Sequence, residues 1–268
     1  MKVIIQNNNE NEKCSQFISI ITLLKNLVSF IKIDFYEEHA YFQGLDKSHV
    51  CLYEIKLHKN LFNSYEPNED KNETVCIDIN ILSSVMSIYQ SNQLIILSLN
   101  ESENENLNIE FINETGKNTS SLNSINKSFE IPLIDIEVDN LDISEIKYNI
   151  IFSIKSKIIY DLINQLTMFG EDLEVSCDEE NITFISSSAD KGKMKSSVCF
   201  NDLDDFDIDI EEEKNLTFSL AYVKKLLSIK ITNNVKIYLI EEKPMKINYN
   251  LGDNSYANFY LAPKFKDE

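Results

Sequence analysis

The sequence predicts an α+β fold built from two similar halves, each with several antiparallel strands and two amphipathic helices. Short runs rich in Ile, Val, Tyr and Phe alternate with polar residues, which is typical of half-buried strands. Four other segments repeat apolar residues every three to four positions, as helices do. The order of strands and helices in the first half recurs in the second, which indicates an internal duplication in which helices cover one face of a sheet.

Alternating apolar and polar residues predict the strands, which are separated by Asn, Asp, Ser and Gly. They are Val3–Ile5, Ile31–Phe35, Val50–Leu57, Leu94–Leu99, Leu107–Ile112, Tyr148–Ile154, Leu173–Cys177, Ile182–Ile185, Met194–Phe200, Val235–Ile240, Ile247–Leu251 and Phe259–Leu261. Two segments, 40–49 and 182–191, each indicate a strand that follows the first helix of its half and ends in a turn of small residues.

The four helical segments each have a continuous apolar stripe with a polar opposite face. They are Phe17–Phe30, Ile79–Tyr89, Ser156–Phe169 and Leu220–Ile229. Asp78 or Asn80 is a suitable N-cap for the second helix, and Ser153 or Ser156 for the third. Short polar side chains at these positions can accept hydrogen bonds from the free amides of a first turn.

The length of the chain, 268 residues, exceeds that of a common single domain of about 100–150 residues. We therefore expect an N-terminal domain over residues 1–132, a connecting segment over 133–149 and a C-terminal domain over 150–268. In the connecting segment, apolar residues alternate with acidic ones. This pattern fits either an extended surface connector or a simple edge strand.

Composition excludes several classes of protein. The formal net charge of −19 argues against a general affinity for nucleic acid, whose phosphates attract Lys and Arg. The five Cys form no CxxC pair and predict buried free thiols in a reducing compartment. No segment approaches the ~20 consecutive apolar residues of a membrane span, and the N-terminus has no signal-peptide pattern. We expect a soluble, intracellular protein that has no contact with a membrane.

Catalytic signatures are absent from the sequence. It contains no GxxxxGK[ST], GxGxxG, GxSxG or HExxH pattern, and its three His lack metal-ligand spacing. The acidic clusters Asp202–Asp209 and Glu211–Glu213 raise the alternative of a metal-dependent nuclease. They lack the EF-hand pattern, so a solvated acidic loop is the favoured interpretation. We expect no catalytic residue, no metal site, no cofactor and no enzyme activity.

Motifs far apart in the chain resemble one known family. Residues 259–268 read FYLAPKFKDE, residues 44–52 read GLDKSHVCL, and the stretch 133–144 reads LIDIEVDNLDIS. The segments 170–172 (GED) and 218–222 (FSLAY) add weaker matches in the same order. Together they resemble the proliferating cell nuclear antigen (PCNA) family of DNA sliding clamps. The resemblance covers nearly the whole chain, with extra residues near 100–128.

The resemblance implies the DNA clamp fold and a ring. Each of three identical subunits would have two similar clamp domains, with antiparallel sheets outside and four helices lining a central hole. In this family, subunits join where an edge strand at the end of the first domain pairs with one of the second. The matching positions here are Lys127, Phe129 and Ile131, and Met194, Ser196 and Val198.

The resemblance also implies a function. A homotrimer would encircle duplex DNA without sequence preference and serve as processivity factor in DNA replication and repair, in the nucleus or at a cytoplasmic replication site. It would be placed by a clamp loader and would bind DNA polymerase and other proteins through a peptide called the PIP box. The groove for that peptide maps to Leu45, His49, Val50, Leu52, Leu141, Ile143, Pro244, Tyr260, Leu261, Ala262 and Pro263.

The expected DNA-facing surface departs from the family pattern. The cations at matching or neighbouring positions are Lys25, Lys157, Lys224, Lys225 and Lys230. Other positions that are basic in relatives hold Ser19, Ser84, Ser87, Asp161, Asn164 and Ala221. We therefore expect a weaker intrinsic grip on DNA than in a typical clamp. The alternative is a clamp-fold protein diverted to transcription or checkpoint work, including one within a hetero-oligomer.

Overall fold

The computed structural model describes residues 1–7, 12–68, 72–99, 105–113, 125–136, 139–210 and 212–265. The chain divides into two compact units, each made of three segments. The first unit contains Met1–Gly44, Glu54–Leu141 and Leu251–Tyr256, and the second contains Leu45–Tyr53, Asp142–Asn250 and Ala257–Glu268. Each unit combines antiparallel strands with two α-helices, so the predicted α+β class and the duplication are confirmed.

Helices α1 (Lys13–Lys25) and α2 (Ile79–Met86) belong to the first unit, and α3 (Ser156–Leu166) and α4 (Leu220–Leu227) to the second. Two short 3₁₀ turns lie at 59–61 and 200–202. The strands are β1 Lys2–Ile5, β2 Phe30–Phe35, β3 His39–Leu45, β4 Cys51–His58, β5 Ser64–Glu66, β6 Glu73–Asp78, β7 Gln93–Leu99, β8 Asn106–Asn113, β9 Lys127–Pro132, β10 Ile150–Lys155, β11 Asp172–Cys177, β12 Asn181–Ser188, β13 Gly192–Cys199, β14 Asp205–Ile208, β15 Lys214–Ser219, β16 Asn234–Leu239, β17 Met245–Gly252 and β18 Ser255–Leu261.

In the first unit, strands β5, β1, β7, β8 and β9 form one sheet in that order, and β2 lies between β3 and β6. Helix α1 packs against α2, and α2 also contacts β2, β6 and β9. The buried face of α1 includes Phe17, Ile21 and Leu24. Burial of each such side chain contributes about 1.5–3 kcal/mol to stability, so the apolar stripe read from the sequence is the reason that this helix docks.

In the second unit, strands β13, β12, β11 and β15 form one sheet, and β14, β10, β16, β17 and β18 pair in that order in another. Helices α3 and α4 pack against each other. Ile159 and Ile163 of α3, and Val223 and Leu226 of α4, are buried. The second unit therefore repeats the helix-pair-and-sheets arrangement of the first.

The boundaries of helix α1 differ from the prediction. It begins at Lys13 rather than Phe17, because Cys14 lies on the same apolar stripe and is fully buried. It ends at Lys25, and Phe30 begins strand β2 instead of closing the helix. Tight turns after α2, α3 and α4 also end those helices two or three residues early, as in the bond from Phe169 N to Leu166 O at 3.0 Å.

One of the two predicted helix caps is confirmed. Asp78 is the N-cap of α2, and its Oδ1 accepts hydrogen bonds from the amides of Asn80 at 2.7 Å and Ile81 at 3.3 Å. The serine cap of α3 was predicted wrongly, because the N-cap residue is Lys155 and no side chain caps this helix. Ser156 is the first helical residue, and its hydroxyl instead donates to the carbonyl of Thr232 at 2.8 Å.

The acidic segment 202–209 is not simply a loop, which corrects the prediction. Residues Asp205–Ile208 form strand β14, which pairs with β10 along one edge of its sheet. Phe206 is 44% exposed and the Asp side chains beside it are also exposed. The backbone of this segment is thus ordered by pairing while its charges stay solvated. Glu211, in the second acidic cluster, lies outside the described residues.

The connecting segment forms neither helix nor strand in its described residues, 133–136 and 139–149. These residues therefore form an extended connector and not an edge strand. Most of the extra residues near 100–128 lie outside the described residues.

All five cysteines are free, as predicted, and four are buried. Burial raises the pKa of Cys51 and of Cys177 to about 12, so these two thiols stay protonated and unreactive at neutral pH.

Every helix in the described part of the chain is too short or too polar to span a lipid bilayer. Within the same residues, no three His, Cys, Asp or Glu side chains come together as a metal site would require.

Candidate functional site

A groove of about 580 Å³ lies in the second unit. Most of the residues predicted for the partner-peptide groove line it together, although they come from four separate stretches of the chain. They are Leu45, His49, Val50, Leu52, Ile143, Pro244, Tyr260 and Ala262. The lining is mainly apolar and includes an aromatic ring, which is the composition of a pocket that receives apolar anchors from a peptide.

Three predicted groove residues do not line it. Leu261 is fully buried, because side chains alternate along strand β18 and its neighbour Tyr260 takes the outward position. Pro263 follows Ala262 and is partly exposed beside the groove. Leu141 is 44% exposed and belongs to the first unit, where its amide donates to Gln43 Oε1 at 2.5 Å.

Several lining residues were not predicted from the motifs. From the connector they are Asp142, Ser144, Glu145, Ile146 and Lys147, and from the turn between β16 and β17 they are Ile240 and Lys243. The alternation of apolar and charged residues in the connector was a usable signal for the first set. The turn offered only Pro244 as a marker, since the sequence does not reveal which residues of a turn face a groove.

Residues 142–147 of the connector line the groove, and the aromatic side chain of Tyr148 holds this end of the connector within the second unit. Tyr148 donates its hydroxyl to the carbonyl of Pro244 at 3.1 Å, and its ring meets that of Tyr238 edge to face at 5.5 Å. Burial raises the pKa of Tyr148. The ammonium of Lys246 lies 5.0 Å from the centre of the Tyr238 ring and 5.7 Å from that of Tyr260, so a cation lies next to the aromatic ring that lines the groove.

The turn that joins β3 to β4 also lines the groove, through His49 and Val50, and Asp46 organises it. The Asp46 carboxylate is buried and accepts backbone hydrogen bonds from Ser48 at 2.9 Å and from Val50 and Cys51 at 2.7 Å each. It also accepts a bond of 2.6 Å from the hydroxyl of Tyr222 in α4. Burial alone would raise the pKa of Asp46, but these four bonds, that of Tyr222 foremost, outweigh burial and hold the pKa below its usual range.

A second cavity, of about 610 Å³, lies between the start of α3 and the segment that follows α4. It is lined by Lys155, Ser156, Lys157, Tyr160, Leu227, Ser228, Lys230, Asn233 and Asn234. The three lysines are exposed, and no Asp or Glu is among these described lining residues. We call this feature the basic cavity. It contains two of the predicted DNA-facing lysines and adds Lys155, which the sequence interpretation missed.

The other predicted DNA-facing lysines are exposed on helices. Lys224 and Lys225 lie on α4, and the ammonium of Lys225 lies 5.0 Å from the centre of the Tyr222 ring. Lys25 is the last residue of α1 in the first unit. Helix α2 contributes no cation, and its exposed residues are Asn80, Ile81 and Ser84. The described helices thus carry few cations: Lys13 and Lys25 on α1, Lys157 on α3, and Lys224 and Lys225 on α4.

The predicted subunit-contact residues lie on two edge strands. Strand β9 carries Lys127, Phe129 and Ile131 and ends its sheet beside β8, and strand β13 carries Met194, Ser196 and Val198 and ends its sheet beside β12. No strand among the described residues pairs with the outer edge of either one. Ile131 is buried within its own unit, whereas the named residues of β13 are half-buried. Both strands thus offer unpaired backbone groups.

Two repeated α+β units, an apolar groove walled by an extended connector and two open sheet edges define a scaffold protein of the sliding-clamp class. Family models agree. The N-terminal domain model of proliferating cell nuclear antigen matches residues 8–140, and the C-terminal domain model matches residues 142–264. The chain therefore belongs to the PCNA family of DNA sliding clamps, which are scaffolds rather than enzymes.

Individual comparisons are consistent with this family. The chain is 26% identical over 263 residues to proliferating cell nuclear antigen of Chaetomium thermophilum, covering 96% of this chain and 97% of that protein. It is 27% identical over 258 residues to a DNA polymerase sliding clamp of Methanococcus maripaludis, covering 93% and 96%. Its fold matches the crystal structure of PCNA from Thermococcus kodakaraensis with a TM-score of 0.85 at 17% identity, covering 98% and 99% of the two chains.

Proposed function

We propose that this clamp protein closes into a homotrimeric ring around duplex DNA and acts as a processivity factor. The observation that carries the proposal is the groove of the second unit, where residues from four stretches of the chain meet in one apolar surface. In this proposal, DNA polymerase and other PIP-box proteins bind that groove, a clamp loader places the ring, and the protein acts where DNA is replicated and repaired.

Two open edges support the ring. We propose that β9 of one subunit pairs with β13 of the next. Lys127, Phe129 and Ile131 of the first subunit would then lie near Met194 and Val198 of the partner subunit. Such a contact is heterologous, since two different surfaces meet, and repeated heterologous contacts close a ring when the rotation between subunits allows it. Pairing would also remove two exposed sheet edges that otherwise favour aggregation.

The domain limits proposed from the sequence fit the same function. Residues 1–132 and 150–268 would be the two clamp domains, and residues 133–149 would be the connector that borders the groove. Asp142 and Glu145 of the connector add acidic groups to the lining of the groove, and Lys147 and Lys243 add basic ones. A peptide with an apolar centre and charged flanks of both signs would complement this surface.

The charge distribution supports DNA passage with a weak grip. The basic cavity and the lysines of α4 provide local positive charge in a chain whose formal charge is −19. Charges separated by more than ~10 Å are largely screened at about 0.1 M salt. A nearby cluster of lysines can therefore attract phosphate although the protein as a whole is acidic.

Primer extension by a DNA polymerase, with a clamp loader present, tests the proposal. We expect the protein to lengthen the products. Tyr260→Ala should abolish most of this gain, because Tyr260 lines the groove and truncating an aromatic hot-spot residue costs about 2 kcal/mol or more. Phe265→Ala is the control, since Phe265 is 73% exposed and does not line the groove. Products of equal length with and without the protein, or full activity of the Tyr260 variant, would contradict the proposal.

A further inference from the structure

Helix α4 contacts the turn beside the groove through the hydroxyl of Tyr222, which bonds the carboxylate of Asp46 and the side chain of Ser48. The Asp46 carboxylate accepts three bonds from backbone amides of its own turn, from Ser48, Val50 and Cys51, and a fourth at 2.6 Å from the hydroxyl of Tyr222. The fourth is the bond that ties this carboxylate to an element outside the turn. The turn is thus ordered internally by Asp46 and fixed in place by Tyr222.

The conformation of the turn requires such support. His49 has φ = +56°, in the left-handed region that side-chain-bearing residues rarely adopt. Residues stay in such conformations only where surrounding contacts hold them. His49 and its neighbour Val50 both line the groove. The carbonyl of Val50 also accepts a bond of 3.0 Å from the amide of Ala262, which lines the groove as well, so a shift of the turn would also displace the chain after β18.

Tyr222 is held on a rigid element, which makes it a suitable anchor. Val223 and Leu226 of the same helix are buried in the second unit, and the carbonyl of Leu226 accepts a bond of 2.8 Å from the hydroxyl of Tyr249 in β17. The Lys225 ammonium near the Tyr222 ring further restricts where the ring can lie. The helix therefore presents the hydroxyl of Tyr222 at a fixed place.

We infer that Tyr222 is a positioning residue for the partner-peptide groove. Acting through Asp46, it holds His49 and Val50 in the conformation that the peptide meets. The part of this inference that concerns the peptide rests on the proposed function. The part that concerns the turn is independent of it, because it depends only on the contacts of Tyr222 and Asp46.

Tyr222→Phe tests the inference, because it removes the hydroxyl and keeps the ring near Lys225. Amide hydrogen exchange measured by NMR should become about 10-fold faster at Val50 and Cys51, whose amides donate to Asp46. Binding of a fluorescein-labelled PIP-box peptide should weaken about 5- to 10-fold, as expected when a hydrogen bond to a charged group is lost.

Tyr249→Phe is the matched control. It removes a hydroxyl that bonds the same helix but has no bond to the turn, so peptide affinity should stay within about 2-fold of the unmodified protein. Unchanged exchange at Val50 and Cys51 in Tyr222→Phe would overturn the inference, as would an equal loss of peptide affinity in both variants. If the unmodified protein binds no peptide, the proposed docking function fails, and the exchange rates alone decide whether Tyr222 holds the turn.

Discussion

At the scale of single residues, Asp46 organises the turn that brings His49 and Val50 to the groove. It is 4% exposed, and each of its oxygens accepts two hydrogen bonds. A buried carboxylate is costly unless it is bonded in this way. Sequence interpretation could not separate Asp46 from the exposed acids, because its bond to an element outside the turn comes from Tyr222, 176 positions away.

Asp46→Asn should lower the free energy of unfolding at neutral pH by about 1.5–3 kcal/mol, since an amide cannot accept all four bonds. The folded pKa of Asp46 lies below its unfolded value, so the ionised carboxylate adds stability that is fully present above the unfolded pKa. That stability is lost as pH falls through the folded pKa. The difference in unfolding free energy between the variant and the unmodified protein should therefore shrink below a pH of about 4.

Urea unfolding at a series of pH values measures this gap. Asp161→Asn is the control, because Asp161 is exposed on α3 and its replacement should change stability little at any pH. A gap for Asp46→Asn that stays constant down to low pH would contradict the role assigned to the ionised carboxylate.

At the scale of elements, the sequence predicted each helix by its apolar stripe and most strands by their alternation. It failed where a tertiary contact decided the outcome. The hydroxyl of Ser156 bonds Thr232 instead of capping α3. Strand β14 forms in an acidic segment because its backbone pairs with β10. Neither partner can be identified from the local residues.

For the groove as well, the sequence predicted some residues correctly and failed for others. Tyr260, Ala262 and Val50 were predicted from family motifs at two ends of the chain, and they line one surface. Leu261 was predicted with them but points into the core, since motif matching does not show which residues of a strand face outward. Ile240 was missed because no motif surrounds it.

The basic cavity carries a prediction about DNA. Ala substitutions of Lys155, Lys157 or Lys230 should each reduce the slope of log affinity for duplex DNA against log salt concentration by about 0.9, if each lysine contacts one phosphate. Lys191→Ala is the control, because Lys191 is exposed in the turn between β12 and β13, away from the lining of this cavity. Fluorescence anisotropy at several salt concentrations gives the slopes, and three unchanged slopes would contradict a phosphate contact.

At the scale of the whole molecule, the negative charge of the protein opposes the binding of DNA inside a ring. Three chains would carry 3 × −19 = −57 formal charges, so the mean field of a ring repels DNA. Local lysines offset this repulsion only in part, and the neutral side chains of α2 do not contribute. We therefore propose that the ring stays on DNA because it encloses the duplex rather than because it binds tightly.

Retention on circular and linear DNA tests this central claim most directly. After loading onto a nicked circular plasmid, the clamp should stay bound through gel filtration at high salt, and it should be lost once the plasmid is cut. Met194→Asp, which places a charge on the β13 edge, should give monomers that neither substrate retains. Equal retention of the unmodified protein on circular and linear DNA would contradict the account.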